Sequence, residues 1–424
     1  MVRELLELRR MLKNRKMTPQ ERERLRERKL QAVVRNAYEH VPYYRSLFRS
    51  AGITPQDIRT VDDLSKVPVT TKEDLRLAGL EKTIADWADI SSLLPRKTSG
   101  ATGKPWKVYR TESEDKTVGL LHVASMLSVG HRPWDRLTLL GLEWSISPRL
   151  HHRLGLYQRQ VIRVLMPLDE QIRQLGEFRP TIIFAAPSLL RAIMHKLQQP
   201  LQDLIQPRVL ITAGEVVDDA LKKRMQSETG AEIFDTYGAM EVGRIATECH
   251  AHEGLHVNAD HVVFECLAGE EPAGTGKEGL AVVTSLFGFG MPFIRYKLGD
   301  RCRLMEKTCT CGCSLPLMDH PVGREDDILI LPSGAIKSPN RFNHILGEVE
   351  GLDQWRLIQE SADRFVLLLV MRKEPDQETL EKIRIQFLEY LEEPVMLDIR
   401  LVDYMEDDVL KFRTFMSKVA RSDS

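Results

Sequence analysis

Three short apolar runs constrain this chain most: Leu137-Thr138-Leu139-Leu140-Gly141, Thr181-Ile182-Ile183-Phe184-Ala185 and Val209-Leu210-Ile211-Thr212-Ala213. None alternates strictly with polar residues, so a strand built from any of them needs cover on both faces. Stretches of helical period, such as Ser188 to Gln198 and Asp218 to Gly230, share the region, and the second ends on a glycine suited to a helix stop. Buried strands alternating with helices predict an α/β region with parallel or mixed sheets over about residues 90–320. Ligands in such folds gather at the C-terminal ends of the strands. After Asp327 the texture changes. A strand pair flanks Pro332-Ser333-Gly334, followed by a helix near Asn340 to Glu350 and strands near Trp355 to Ile358 and Arg364 to Val370. A helix from Gln377 to Leu391 and a strand near Val395 to Val402 complete a small α+β domain. The expected division is a large domain at 1–325 and a small C-terminal domain at 326–424.

A chain of 424 residues is too long for one compact core, and 42% hydrophobic with 29% charged residues suits a packed protein. Net charge is −1, so nothing global recruits nucleic acid or an anionic membrane, and no basic stripe interleaves with aromatics. No apolar run approaches the roughly 18–20 residues that cross a bilayer. The N-terminus lacks a signal-peptide core, which makes a cytoplasmic location the default expectation. Residues 1 to about 30 read as helical, and Glu21 to Lys29 alternate in sign, as on a solvated helix laced with ion pairs. Six cysteines in a chain this long do not make a disulfide framework; clustered cysteines in a reducing compartment more often hold metal.

Chemistry first surfaces at Lys97-Thr98-Ser99-Gly100-Ala101-Thr102-Gly103-Lys104-Pro105. Two glycines allow a tight turn that brings backbone N–H groups to an anion, and Lys104 adds a charge that can reach a terminal phosphate. Only two residues separate Gly100 from Gly103, and Pro105 follows Lys104, so this is not the common nucleotide-triphosphatase loop. The order Thr-Ser-Gly-Ala-Thr-Gly-Lys-Pro instead resembles the phosphate loop of the adenylate-forming enzymes. Three further segments resemble that family in its order: Asp235-Thr236-Tyr237-Gly238-Ala239-Met240-Glu241, Phe293-Ile294-Arg295-Tyr296-Lys297-Leu298-Gly299-Asp300 and Gly323-Arg324-Glu325-Asp326-Asp327. Within the family, the details resemble the phenylacetate–coenzyme A ligase-like branch. Tyr38-Glu39-His40-Val41-Pro42-Tyr43-Tyr44, Glu248-Cys249 with Gly254-Leu255-His256, and Cys309-Thr310-Cys311-Gly312 look like its segments.

The resemblance implies ATP-dependent activation of a small carboxylic acid, aryl acids among the options, as an acyl-adenylate, then transfer to a thiol such as coenzyme A. It implies that Thr98, Ser99, Gly100, Thr102, Gly103 and Lys104 hold phosphates, that Glu241 holds Mg²⁺ and that Asp300 accepts from the ribose. Gly214, Glu215, Asp235, Tyr237 and Gly238 fall at the nucleoside end, with Arg324 in support. A second cation is expected from the mobile small domain at Lys411, with Asp326 as hinge. Two positions depart from the pattern: Met240 replaces the usual Thr, and Leu410 replaces the glycine before the lysine. For a structural zinc ion, Cys249, His256, Cys309 and Cys311 make a tetrahedral set, with His250, His252 and Cys313 competing. Trp144, Ser145, Ala186 and Pro187 are candidate walls of the acid pocket. Three alternatives stay open: an acyl-carrier-protein acceptor, a non-thiol acceptor, and a zinc-stabilised interaction protein of this fold without catalysis. A homodimer also stays open.

Overall fold

A computed structural model describes residues 2–97, 106–141, 154–197, 199–215, 217, 219–325, 327–339, 341–347, 349–403, 405 and 414–419. Their contacts divide the chain into two compact units, Met1–Arg132 with Phe234–Pro321, and Pro133–Ile233 with Val322–Ser424.

The first unit is built on antiparallel strands. Val262–Ala268, Glu278–Ser285 and Tyr296–Arg303 pair in that order. Gly243–Glu248 pairs with Glu232–Ala239 on one side and with Leu255–Val257 on the other. The core between them includes Ile245, Ala246, Ala281, Val283, Phe293 and Met318. In the Tyr296–Arg303 strand the register slips between Lys297 and Arg301, because Leu280 faces Arg301 while Val282 faces Lys297. Leu298, Gly299 and Asp300 form the resulting bulge. Gly299 has φ +74°, a conformation that side-chain-bearing residues avoid. Such bulges re-aim side chains beside functional sites.

The charged N-terminal stretch differs from a single solvated helix. It forms two helices, Val2–Asn14 and Pro19–His40. Thr18 caps the second through a reciprocal bond with Glu21, and Pro19 fits the first turn, where no N–H is needed. Leu30, Val33, Val34 and Ala37 form its buried stripe and pack against Tyr44, Phe48 and Ile58. The first helix sets Met11 against Leu121 and Ala124 of the Glu112–Ser128 helix.

In the second unit the three apolar runs are strands, Arg136–Gly141, Ile182–Ala185 and Val209–Ala213, and they pair in parallel. Gln158–Arg163 adds to the outer side of the first. The helices Leu168–Phe178, Pro187–Leu197 and Asp219–Thr229 follow successive strands, as parallel crossovers require. Their shared core includes Leu175, Ile193, Leu210 and Met225. The same unit carries the C-terminal α+β portion. Its sheet runs Met396–Leu401, Arg364–Met371, Leu352–Ser361, Phe415–Ser417, and the Gln377–Leu391 helix packs on it. Phe342 stacks on Phe387 at 4.8 Å in that core. Buried Asp353 meets Arg224 of the Asp219–Thr229 helix at 2.6 Å and Arg372 at 3.1 Å. No helix among the described residues is long and apolar enough to cross a membrane.

Candidate functional site

Two glycines shape the first part of the site. The strands Glu232–Ala239 and Gly243–Glu248 are joined by a turn closed by Val242 N–H donating to the Ala239 carbonyl at 3.2 Å. A Cβ on Gly238 would lie 2.7 Å from the Gly243 carbonyl oxygen, so the hairpin closes only with glycine there. Gly243 itself sits at φ +73° against Val118. Met240 and Glu241 occupy the two central positions of this turn, and Met240 is exposed.

Strand Tyr296–Arg303 supplies the second part. The Tyr237 hydroxyl donates to Asp300 Oδ2 at 2.7 Å, and the Tyr296 hydroxyl donates to Glu241 Oε1 at 3.1 Å. Two pairs far apart in sequence, 237 with 241 and 296 with 300, therefore share one site. Burial pushes the Glu241 carboxyl above the usual carboxylate range, and nearby Asp300 pushes the same way. The Tyr296 bond and the charge of Lys72 act against this rise. A hard dication would relieve it, and oxygen donors of this kind fit Mg²⁺.

The remaining expectations fall in different places. Gly214, at φ +87°, and Glu215 lie in the second unit, after the Val209–Ala213 strand. The Glu215 carboxylate accepts from Ser188 N–H at 2.9 Å and from the Ser188 hydroxyl at 2.8 Å. It thus caps the start of the Pro187–Leu197 helix. Asp235 is buried. Its carboxylate takes His320 Nδ1 at 2.9 Å and the Thr236 N–H at 2.9 Å, so protein groups already occupy it. Arg324 belongs to the second unit, in the short strand Gly323–Arg324. Thr98, Ser99, Gly100, Thr102, Gly103, Lys104, Trp144, Ser145, Asp326 and Lys411 lie outside the described residues.

Sequence reading did not assign Tyr296 or His320 a partner. Tyr296 stands inside the Phe293–Asp300 segment, four residues before Asp300, and a tyrosine at that spacing on one strand was the available signal. Nothing in the sequence joins His320 to Asp235. Arg295 was also unassigned. It holds φ +44° while its guanidinium donates to the Val67 carbonyl at 2.7 Å and pairs with Glu265 at 3.2 Å. This pins the start of the strand, and the cost of an unfavourable backbone is offset by buried charged bonds.

A separate cluster gathers the cysteines. Cys249, His256, Cys309 and Cys311 place one ligand atom each within 4.8 Å of one another. Cys249 Sγ lies 3.5 Å from Cys309 Sγ, and Cys311 Sγ lies 3.3 Å from His256 Nε2. Tetrahedral zinc at ordinary bond lengths sets ligand atoms roughly 3.6–3.8 Å apart, so the donor set fits that ion in both chemistry and spacing. His256 Nδ1 faces the Leu315 carbonyl at 3.4 Å, which fixes the ring and leaves Nε2 toward the thiols. The competing residues point elsewhere: His252 pairs with Glu248 at 2.9 Å and His250 packs on Phe234. All six cysteines are free, and Cys266 and Cys302 are buried in the core.

Residues 97–264 match the family of AMP-binding enzymes. A phenylacetate–coenzyme A ligase of Thermus thermophilus is 30% identical over 323 residues, covering 72% of this chain and 71% of that protein. A phenylacetate–coenzyme A ligase of Escherichia coli is 27% identical over 360 residues, covering 79% and 81%. Among solved structures, a 2-hydroxyisobutyryl-CoA ligase in the postadenylation state, in complex with 2-HIB-AMP, aligns with a TM-score of 0.80 at 20% identity. That alignment covers 95% of this chain and 91% of the other, and it speaks for the fold.

Proposed function

The chain belongs to the phenylacetate–coenzyme A ligase family, and from that premise we propose that it activates a carboxylic acid with ATP and passes the acyl group to coenzyme A. In the first step a carboxylate oxygen attacks the α-phosphorus of ATP. The new O–P bond forms as the bond to the β-phosphate bridging oxygen breaks, giving acyl-adenylate and pyrophosphate. In the second, the thiolate attacks the acyl carbon and AMP leaves, the thiol proton passing to solvent or base.

The convergence of Tyr237, Glu241, Tyr296 and Asp300 carries this reading. It sets a carboxylate suited to ribose hydroxyls close to a carboxylate suited to a metal. Asp300 accepts from the ribose, and Tyr237 holds Asp300 in place while its ring flanks the base. Glu241 holds the metal, which neutralises phosphate charge when bound. The Thr98–Gly103 backbone and Lys104 take the outer phosphates. Lys411, from a small domain beginning near residue 326, neutralises charge while the α-phosphate is attacked, and Asp326 is the hinge for the second step. Cys249, His256, Cys309 and Cys311 hold a structural zinc ion.

Acid-dependent exchange of labelled pyrophosphate into ATP tests the first step. We expect exchange with at least one acid of a panel led by phenylacetate and other aryl acids, and net thioester only when coenzyme A is added. Exchange without thioester would move the acceptor to a carrier protein or a non-thiol. No exchange with any acid would overturn the enzyme reading in favour of an interaction protein, for which Met240 and Leu410 are the favouring residues.

A further inference from the structure

Glu241 sits on a two-residue turn, and a carboxylate there is only as well placed as the turn beneath it. Arg110 grips that turn: its Nη2 donates to the carbonyl of Met240, the residue immediately before Glu241. Arg110 is buried, at 6% exposure, and ends the strand Lys107–Arg110. Its Nη1 pairs with Asp115 at 3.4 Å. Asp115 also receives Arg96 in a two-pronged bond, from Nε at 2.9 Å and Nη2 at 2.6 Å. Arg96 lies in the strand Leu94–Lys97, which pairs antiparallel with Lys107–Arg110, Arg96 facing Val108. These two strands bracket in sequence the Thr98–Gly103 stretch assigned to the phosphates. Thus Asp115 ties together both strands beside that stretch, and Arg110 extends the tie to the metal-holding turn. The helix that carries Asp115 is fixed in turn. Thr111 and Glu114 form its capping box, and Glu114 Oε1 accepts the N–H groups of Phe289 and Gly290 at 2.6 and 2.8 Å.

We propose that Arg110, held by Asp115, is a positioning residue for Glu241 that couples the phosphate-loop strands to the metal site, so that metal and triphosphate bind as one unit. The inference rests on Glu241 as the metal residue. A guanidinium suits the role because its planar fork reaches a carbonyl and a carboxylate at once, which an ammonium cannot do in the same geometry. Arg110 touches neither substrate nor metal in this scheme. Its loss leaves the nucleoside end intact and weakens only what depends on Glu241's placement.

Calorimetric titration of the full chain distinguishes these effects without knowledge of the acid. ATP is titrated with Mg²⁺ and in chelator, and AMP in chelator, for wild type, Arg110→Met, Arg110→Lys, Asp115→Asn and Glu241→Gln. In wild type Mg²⁺ tightens ATP binding. Arg110→Met should lose about tenfold of that enhancement, the scale of one charge-assisted hydrogen bond, with AMP affinity unchanged. Asp115→Asn should lose less, in the same direction. Arg110→Lys keeps charge and stem and should fall between Arg110→Met and wild type; it also stands in if Arg110→Met is not recovered folded. Wild-type enhancement in the arginine variants alongside its loss in Glu241→Gln would overturn the coupling. Equal loss of AMP and Mg-ATP affinity would reduce Arg110 to a purely structural role and also overturn it. Full enhancement in Glu241→Gln would instead overturn the metal assignment beneath it.

Discussion

Asp260 is a carboxylate whose charge survives burial. Burial alone would raise its pKa, but the charge of His261, whose Nδ1 lies 2.9 Å away, a hydrogen bond from Asn14 and the charge of Lys29 together hold it well below the usual carboxylate range. A carboxyl depressed in the folded state stabilises that state fully above its unfolded pKa, about 3.9, and progressively less as pH falls toward the folded value. Asp260→Asn should therefore cost about 1–3 kcal/mol at pH 7, where a buried donor loses its charged partner. The difference from wild type should shrink as pH drops below about 4. Denaturant unfolding across pH 3–7 reads both effects, and a pH-independent difference would contradict them. At this scale the sequence was uneven. Tyr237, Glu241 and Asp300 were singled out because their segments resemble family motifs, and the fold brings them together. Asp235 and Glu215 were read the same way, yet their carboxylates face His320 and Ser188. Short polar segments do not say which way a side chain turns; that is decided by partners tens of residues away.

Elements join these residues, and the N-terminal pair of helices shows how. The charges at 21–29 suggested a solvated arm, but Arg22 and Leu25 are buried within the charged run and the buried stripe continues from Leu30. Arg22 Nη2 donates to the Ser314 hydroxyl at 2.5 Å, and that hydroxyl donates to the Met17 carbonyl at 2.6 Å. Ser314 N–H reaches the Arg15 carbonyl at 2.9 Å. Ser314 directly follows the Cys309–Cys313 loop, so a zinc ion held by Cys309 and Cys311 would also fix the junction between the two helices. Purified protein should carry about one zinc ion per chain. Cys311→Ser or chelation should lower the metal content and speed tryptic cleavage at Arg15 and Lys16. Elemental analysis with timed digestion checks this; unchanged cleavage after complete metal removal would separate the loop from the junction. The parallel strands and the Gln377–Leu391 helix were legible because period and length agreed. The Leu298–Asp300 bulge was not, since only Gly299 hints at it and register is set by the partner strand.

For the whole molecule, the chain passes between its two units at 132/133, 233/234 and 321/322. A single boundary near 325 was the expectation from the change in texture. The small portion after it does keep its own core, from Leu329 to Phe415. Yet Asp353 pairs with Arg224, and contacts group that portion with residues 133–233. Such groupings rest on long-range ion pairs and packing that no local pattern records. The central claim is a bond between the carboxylate of an acid and the α-phosphorus of ATP. It is tested most directly with an acid labelled with ¹⁸O in its carboxylate, using the acid that supports exchange, with ATP, Mg²⁺ and coenzyme A. Carboxylate attack at the α-phosphorus predicts one labelled oxygen in the AMP released and none in pyrophosphate. Label in inorganic phosphate, formed alongside ADP, would mean attack at the γ-phosphorus and would contradict it.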